Sequence, residues 1–417
     1  MRRWLCALAL VLLGSSCGQG APDTSIHLGV VYPLSGPQAP GGREELDGIR
    51  AALQVARQRH LPLADHIQLE VRDVRTPEEA AAAVDTFAAS HLPVVLGTYG
   101  STLSQAAATR ADERHVVFWE TGAVADPVTT GHRYVFRTVA TGSTLGRTAA
   151  EFTAEVLIPA NGAGTSRRVA IVAVDDVYGR SVSDEEVARA RELGIQVAAI
   201  LRYDPHLYDP QAIAAQLVAV HPDYLWDVSY VDDGIAIWHE VVQSGLHLRG
   251  VVGTSSAFCM SEFGNRLGRE AVGVFAADKP DDQVNRSALA PAAVALLDDA
   301  RRAYRSIHGG STMEIPGVAG FVGGWTLFHD VLPRIRGPIT PDSVRQAALT
   351  VDVPMGEEIN GGGVRFAPPG ATDSGQNQRA VAVVGQWQGI GVMRVVYPAA
   401  FATASPVIPE GDRWPAS

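Results

Sequence analysis

Apolar runs alternate with segments of helical period along most of the chain. Strand-like runs fall at Ile26 to Tyr32, Ile67 to Val71, Val94 to Leu96, Val116 to Trp119 and Val169 to Val174, then at Val197 to Tyr203, Tyr224 to Val228, Gly250 to Val252 and Gly273 to Ala276. Between them, helical spacing predicts Arg43 to Arg59, Pro77 to Ser90, Thr102 to Arg114, Gly179 to Leu193, Pro210 to Val220 and Asp233 to Gly245. Repeated strand-helix alternation implies an α/β fold of parallel sheets covered by helices. In such sheets ligands bind at loops beyond the carboxyl ends of the strands. Functional positions are therefore expected in loops, and the first glycine- and proline-rich loop, around Gly36-Pro37 and Gly41-Gly42, is a candidate binding element.

The pattern breaks around Arg137 to Leu145 and again around Asp278 to Asn285. From Ser287 to Thr350 the text is mainly helical, with helices near Leu289 to His308 and Val318 to Ile335, and afterwards Gly361 to Phe366 and Ala380 to Tyr397 read as β.

The first residues have a different character. Arg2 and Arg3, an apolar stretch from Trp4 to Leu13 and then Gly14-Ser15-Ser16-Cys17 follow the charged, apolar and small-residue order of a signal peptide (residues 1–17). The apolar stretch is too short for an ordinary membrane span. The residues before Cys17 resemble the lipobox of bacterial lipoproteins, in which the cysteine is lipidated; Gly14 departs from it, since an aliphatic residue is usual there. Ordinary cleavage to a soluble product is the alternative. Residues 18–25, small and polar, read as a tether.

What remains is roughly 400 residues, a length suited to two domains. Export leaves Cys17 and Cys259, so lipidation of Cys17 would leave Cys259 without a disulfide partner. The net charge of −11 becomes −13 when Arg2 and Arg3 are removed, a surface that repels nucleic acid and anionic lipid. Lys279 is the only lysine, the other 33 of 34 basic residues being arginine, which reads as composition bias and carries no function.

Catalytic chemistry finds little support. His239-Glu240-Val241-Val242-Gln243 opens like a zinc-protease helix and ends in glutamine, which lacks the second metal ligand. No serine lies in a G-x-S-x-G elbow, and Gly361 to Gly363 lacks the lysine and hydroxyl residue of a phosphate loop. The 12 histidines show no i, i+4 pair with acidic support. Neither an enzyme nor a metal or other cofactor is expected.

A series of short motifs is more specific in combination. They are Gly29 to Gly36, Gly97-Thr98-Tyr99-Gly100-Ser101-Thr102-Leu103-Ser104, Glu120 to Pro127 and Tyr134 to Thr138. They continue with Asp175-Asp176-Val177-Tyr178-Gly179, Pro222-Asp223-Tyr224, Gly375 to Gln378, Gln386 to Gly389 and Val396-Tyr397-Pro398. In this order and spacing the chain, over roughly residues 26 to 400, resembles the substrate-binding protein of a branched-chain amino acid type ABC transporter, a type I periplasmic binding protein. The resemblance implies two doubly wound, Rossmann-like lobes joined by three crossovers. The first lobe would hold residues 26–140 and 279–350, the second 141–278 and 351–402, with 403–417 a tail. It also implies a monomer in the periplasm or cell envelope, a small-molecule ligand held between closing lobes, and ABC permease subunits as partners. The same fold also serves ligand sensors that feed a regulator or receptor, and an envelope scaffold lipoprotein without ligand is a third reading.

The resemblance also marks site residues. Ser101 stands where the family places a ligand-contacting serine, beside Thr102 at the start of a helix; the alternative is that it only caps the helix. Ser104 reads as support. In the loop Glu120 to Asp126, Glu120 is either a ligand contact or a buried partner of Arg137, and Thr121, Gly122 and Val124 are candidate contacts. Amino-acid-binding members have a threonine that holds the ligand carboxylate where Val124 stands. Tyr178 and Tyr230 are expected to wall the pocket from the second lobe, with helix-start packing the alternative for Tyr178. Ser255 stands where amino-acid-binding members carry an acid that pairs with the ligand ammonium. Without that acid another carboxylate, Asp232, Asp233 or Glu120, must replace it, or the ligand lacks an amine.

Overall fold

The computed structural model describes residues 25–162, 167–309 and 312–408. The signal peptide, the tether up to residue 24, Cys17 and the last nine residues lie outside the described residues. The elements run β1 Ile26–Tyr32, α1 Ala39–Gln58, β2 Ile67–Asp73, α2 Pro77–Ala89, β3 Val94–Gly97, α3 Ser101–Glu113, β4 Val117–Glu120 and β5 Val135–Arg137. After α4 Gly142–Phe152, a π-helical turn leads into α5 Ile158–Ala160. Then come β6 Arg168–Val174, α6 Val177–Leu193, β7 Gln196–Tyr203, α7 Pro210–Val220, β8 Tyr224–Val228, α8 Val231–Gln243, β9 Gly250–Thr254, α9 Ser261–Leu267 and β10 Phe275–Asp278. Helices α10 Pro291–His308, α11 Ile315–Trp325 and α12 Pro341–Ala348 precede the hairpin β11 Val383–Gly389 and β12 Val392–Tyr397.

Two sheets result. The first has the order β2-β1-β3-β4-β5 and is parallel throughout. The second has the order β12-β11-β10-β9-β8-β6-β7, parallel from β10 to β7 and antiparallel at the hairpin. Strands such as Val94–Gly97 and Tyr224–Val228 are buried at every position, because helices cover both faces of a parallel sheet. The chain passes between the sheets three times, at 138–141, 279–290 and 378–382, consistent with the expected crossovers.

Residues 351 to 377 depart from the expected division. Val351, Ile359, Val364 and Phe366 belong to the core of the first lobe, and Phe366 packs edge-on against Trp119 and Phe136, with ring centroids 5.4 and 5.1 Å away. The β reading of Gly361 to Phe366 yields only the single bridges Val353 to Val364 and Phe366 to Asn377. Alternating apolar residues mark a surface to be buried without saying which core receives it.

Helix α1 starts at Ala39, earlier than its periodicity suggests, because Pro40 fits a first turn where no N–H acceptor is needed. Against it lies α11, buried on all sides. The two approach backbone to backbone: a Cβ on Gly320 would stand 1.9 Å from the Glu45 carbonyl oxygen, and one on Gly48 2.1 Å from that of Gly317.

Candidate functional site

The carboxyl ends of β3 and β4 in the first lobe face those of β6, β8, β9 and β10 in the second. Ser101 opens α3 and is 4% exposed. The helix is capped by Gly100, with no side chain bonded to its first turn, so Ser101 does not act as the cap. Its Oγ accepts the Ala125 N–H at 3.2 Å, pinning the next loop to the helix start. Ser104 supports from below, bonded to Thr98 Oγ1 at 2.6 Å and to the Glu120 carboxylate.

Glu120 is fully buried and turns into its own loop, accepting the N–H groups of Gly122 and Ala123 at 2.7 Å each and that of Thr98 at 3.3 Å. Burial pushes its carboxyl up to about 7, against the lowering pull of these bonds. Glu120 is absent from the cavity wall, its oxygens being committed to the loop and to Ser104; Arg137, its neighbour across the sheet, makes no hydrogen bond to it, though the buried guanidinium draws the Glu120 carboxyl down. The Arg137 guanidinium instead takes Ala125 O at 2.6 Å, Gln376 Oε1 at 2.5 Å and Thr129 Oγ1 at 3.3 Å. Thr121 also misses the cleft. Its hydroxyl bonds to Tyr32 Oη and to Glu45 Oε1, beneath the loop. Position at a strand end does not fix which way a carboxylate turns, and Glu120 turns toward the backbone donors two and three residues on.

From the second lobe, Tyr178 is buried and donates its hydroxyl to Thr254 O at 2.8 Å. Its ring lies 5.4 Å from that of Tyr230, and Tyr230 Oη donates to Asp176 Oδ2 at 2.5 Å. Asp176 also caps α6, accepting Gly179 N–H at 2.9 Å, and takes Thr102 Oγ1 from the other lobe at 3.3 Å. Thr102 thus lies at the seam, on the wall of an outer groove of about 800 Å³ bordered by Asp126, Asp175, Asp176, Asp184 and Glu185. Ser255 and Ser256 follow β9 with φ of 28° and 42°. Non-glycine residues enter this region at a cost, and consecutive cases cluster at functional loops.

Ser101, Gly122, Val124, Tyr178, Tyr230 and Ser255 converge on one small cavity between the lobes. The cavity measures about 10 Å³ for the centre of a water molecule, room for one water. The lobes are closed on each other: Asp126 N–H bonds Ser181 Oγ at 3.0 Å, and Ser261 N–H bonds Glu314 Oε2 at 3.2 Å. Of the carboxylates considered as substitutes for the missing acid, none lines the cavity. Asp233 is bonded to Tyr203 Oη, and Asp232 pairs with Arg266 at 2.6 Å.

Four lining residues were not among the candidates read from the sequence, Tyr99, Ala123, Ser256 and Lys279. Lys279 is 7% exposed. Its Nζ donates to Gly122 O in the first lobe at 3.1 Å and stands 3.2 Å from Asp278 Oδ1. Asp278 Oδ2 in turn accepts the Cys259 thiol at 2.7 Å, and Cys259 is buried and unbridged. The available signal was that the sole lysine directly follows a strand end at a break between domains. His239, by contrast, pairs with Glu270 at 2.9 Å on an exposed helix face, and among the described residues no cluster of histidine, cysteine or carboxylate could hold a metal.

The sequence model of the family described as periplasmic binding protein matches residues 25–388. A Leu/Ile/Val-binding protein homolog 8 from Brucella suis is 26% identical over 402 residues, covering 94% of this chain and 96% of its own. A homolog 7 from the same organism is 24% identical and covers 98% and 100%. Among solved structures, a leucine-binding protein from Thermotoga maritima superposes with a TM-score of 0.74 at 18% identity, covering 89% of this chain and 97% of its own. A branched-chain amino acid transporter substrate-binding protein from Streptococcus pneumoniae, in complex with isoleucine, gives 0.71 at 17% identity, covering 90% and 100%. These neighbours are binding proteins rather than enzymes, and they share this fold.

Proposed function

The chain belongs to the periplasmic binding protein family, and from that premise we propose that it is the solute-binding component of an ABC importer, capturing a small carboxylate-bearing molecule between its lobes. Membership implies an extracytoplasmic location. The observation that carries the reading is the convergence of Ser101, Gly122 and Val124 from one lobe with Tyr178, Tyr230 and Ser255 from the other on a single space, which has room for one water in this closed form and must widen as the lobes part to take a ligand. An open form admits the ligand at the first lobe. The second lobe then closes, and contacts available only in the closed form draw the population toward it. The names of the Brucella relatives and the isoleucine bound in the Streptococcus protein support a ligand of amino acid size. Permease subunits that distinguish the closed from the open form are the proposed partners, and a lipid on Cys17 the proposed membrane anchor.

The test is a thermal-shift screen of residues 18–417 against amino acids, amides, short carboxylates and aromatic acids. A ligand at 100 times its dissociation constant stabilises the folded state by about 2.7 kcal/mol, a clear rise in Tm. At least one hit, lost on Ser101→Ala, is expected. Silence across the whole panel would retire the capture reading.

A further inference from the structure

We propose that Lys279 makes this cleft a receptor for carboxylates that carry no ammonium group. The inference rests on the capture reading and names the ligand class within it. Lys279 is the one charged side chain on the cavity wall; the rest of the lining is Tyr99, Tyr178, Tyr230, serines and the Gly122 to Val124 segment. A lysine ammonium has three N–H donors. Two are directed at Gly122 O and Asp278 Oδ1, and the third is left for a ligand.

The carboxylates nearby are bonded or turned away from the cavity. Glu45 takes Tyr32 and Thr121 on Oε1, and its unpaired Oε2 is buried behind Gly122, off the cavity wall, where burial raises its carboxyl well above the usual range. Asp278 receives the Lys279 backbone N–H at 2.7 Å on Oδ1 and the Cys259 thiol on Oδ2, and it is 2% exposed behind the wall. Asp176 is filled by Gly179 N–H, Tyr230 and Thr102. Glu44, with one unpaired buried oxygen, lies among Glu314, Glu262 and Asp47 rather than on the cavity wall, and burial pushes it up to about 9. A ligand ammonium would therefore meet the Lys279 ammonium with no carboxylate on the wall to pair with, because Asp278, the partner of Lys279, stands behind it, an arrangement whose cost is large.

A ligand carboxylate meets the opposite situation. It finds the spare Lys279 donor and the Ser101, Ser255 and Ser256 hydroxyls. Alongside stands the first turn of α3, whose N–H groups no side chain caps. The tyrosine rings and Val124 then leave an apolar or aromatic body as the rest of the molecule. Lys279 also follows β10 at the start of the second crossover while bonding the first lobe, so the group that recognises the anion spans the two lobes.

Titration calorimetry on residues 18–417 with matched pairs decides the point: 4-methylpentanoate against leucine, and 3-phenylpropanoate against phenylalanine, with the corresponding amides as uncharged controls. At least one acid is expected to bind at least tenfold more tightly than its amino acid. Lys279→Gln should weaken that acid at least tenfold, and Lys279→Arg should retain the preference for acid over amino acid. An amino acid or amide binding as tightly as its acid overturns the inference and leaves capture standing, as does an acid whose affinity Lys279→Gln does not change. No binding by any of these probes, with the full thermal-shift panel also silent, overturns the capture reading and the inference with it; no binding here alongside a panel hit that is not an acid overturns the inference alone. If Lys279→Gln does not fold by circular dichroism, the wild-type pairs and Lys279→Arg decide alone.

Discussion

Thr102 Oγ1 donates to Asp176 Oδ2 at 3.3 Å, tying the first turn of α3 in one lobe to the N-cap of α6 in the other. The same carboxylate holds Tyr230 and the Gly179 N–H, so it joins helix stability, pocket wall and lobe closure. Thr102→Val removes only the link across the seam. It should leave stability to urea within about 0.5 kcal/mol while weakening ligand binding. Asp176→Ala also removes the cap and should cost about 1 kcal/mol or more of stability. Urea unfolding and calorimetry on both variants separate the two effects.

Tyr178 presents its ring to the cavity and commits its hydroxyl to Thr254 O. Tyr178→Phe should therefore lower stability by about 1 kcal/mol with affinity nearly kept, whereas Tyr178→Ala should weaken binding well beyond that. Equal affinity loss in both variants would show that the hydroxyl, not the ring, meets the ligand.

Glu44 sets a direction for pH. Its carboxyl is raised to about 9 by burial first and then by Glu314, Glu262 and Asp47. Below the ordinary glutamate range both folded and unfolded chains hold the proton, and nothing is gained or lost. Between pH 4.5 and 9 the unfolded chain gives up the proton and the folded chain keeps it, so stability falls as pH rises. Glu120, raised to about 7, adds to the fall over the lower part of this window. Glu44→Gln should match wild type near pH 4.5 and exceed it by about 1 kcal/mol or more at pH 8, as read by Tm against pH. A constant offset across the range would contradict this.

Gly320→Ala tests the α1 and α11 contact. The added methyl meets the Glu45 carbonyl at 1.9 Å, and backbone cannot swing aside as a side-chain tip can. A loss of about 3 kcal/mol or more is expected, with a lower urea midpoint or no soluble protein.

The proposed lipid anchor has its own readout. Cys17→Ser should move the protein from the membrane fraction to the soluble fraction. Retention with the membranes would argue against lipid at Cys17.

Most strands and helices were legible because burial on both faces writes continuous apolar runs, and Tyr224 to Val228 and Pro210 to Val220 appear with the expected bounds. Strand β5, three residues long, left no run to read. The cleft was legible where a residue follows a strand end and points outward from its loop, as Ser101, Tyr178, Tyr230 and Ser255 do. It was not legible where a side chain turns back, as Glu120 does toward Gly122 and Ala123, because direction is decided by local hydrogen bonding. Lys279 was hidden differently. A single lysine among arginines resembles a composition statistic until the fold brings it beside Gly122.

The hairpin of β11 and β12 lies at the edge of the second sheet yet is the last of the described elements in chain order. Strand β10 has β9 on one side and needs β11 on the other, while the first lobe still awaits Phe366 and Gln376. A chain that folds as its amino end becomes available would thus carry two incomplete cores until residues 366 to 397 were in place.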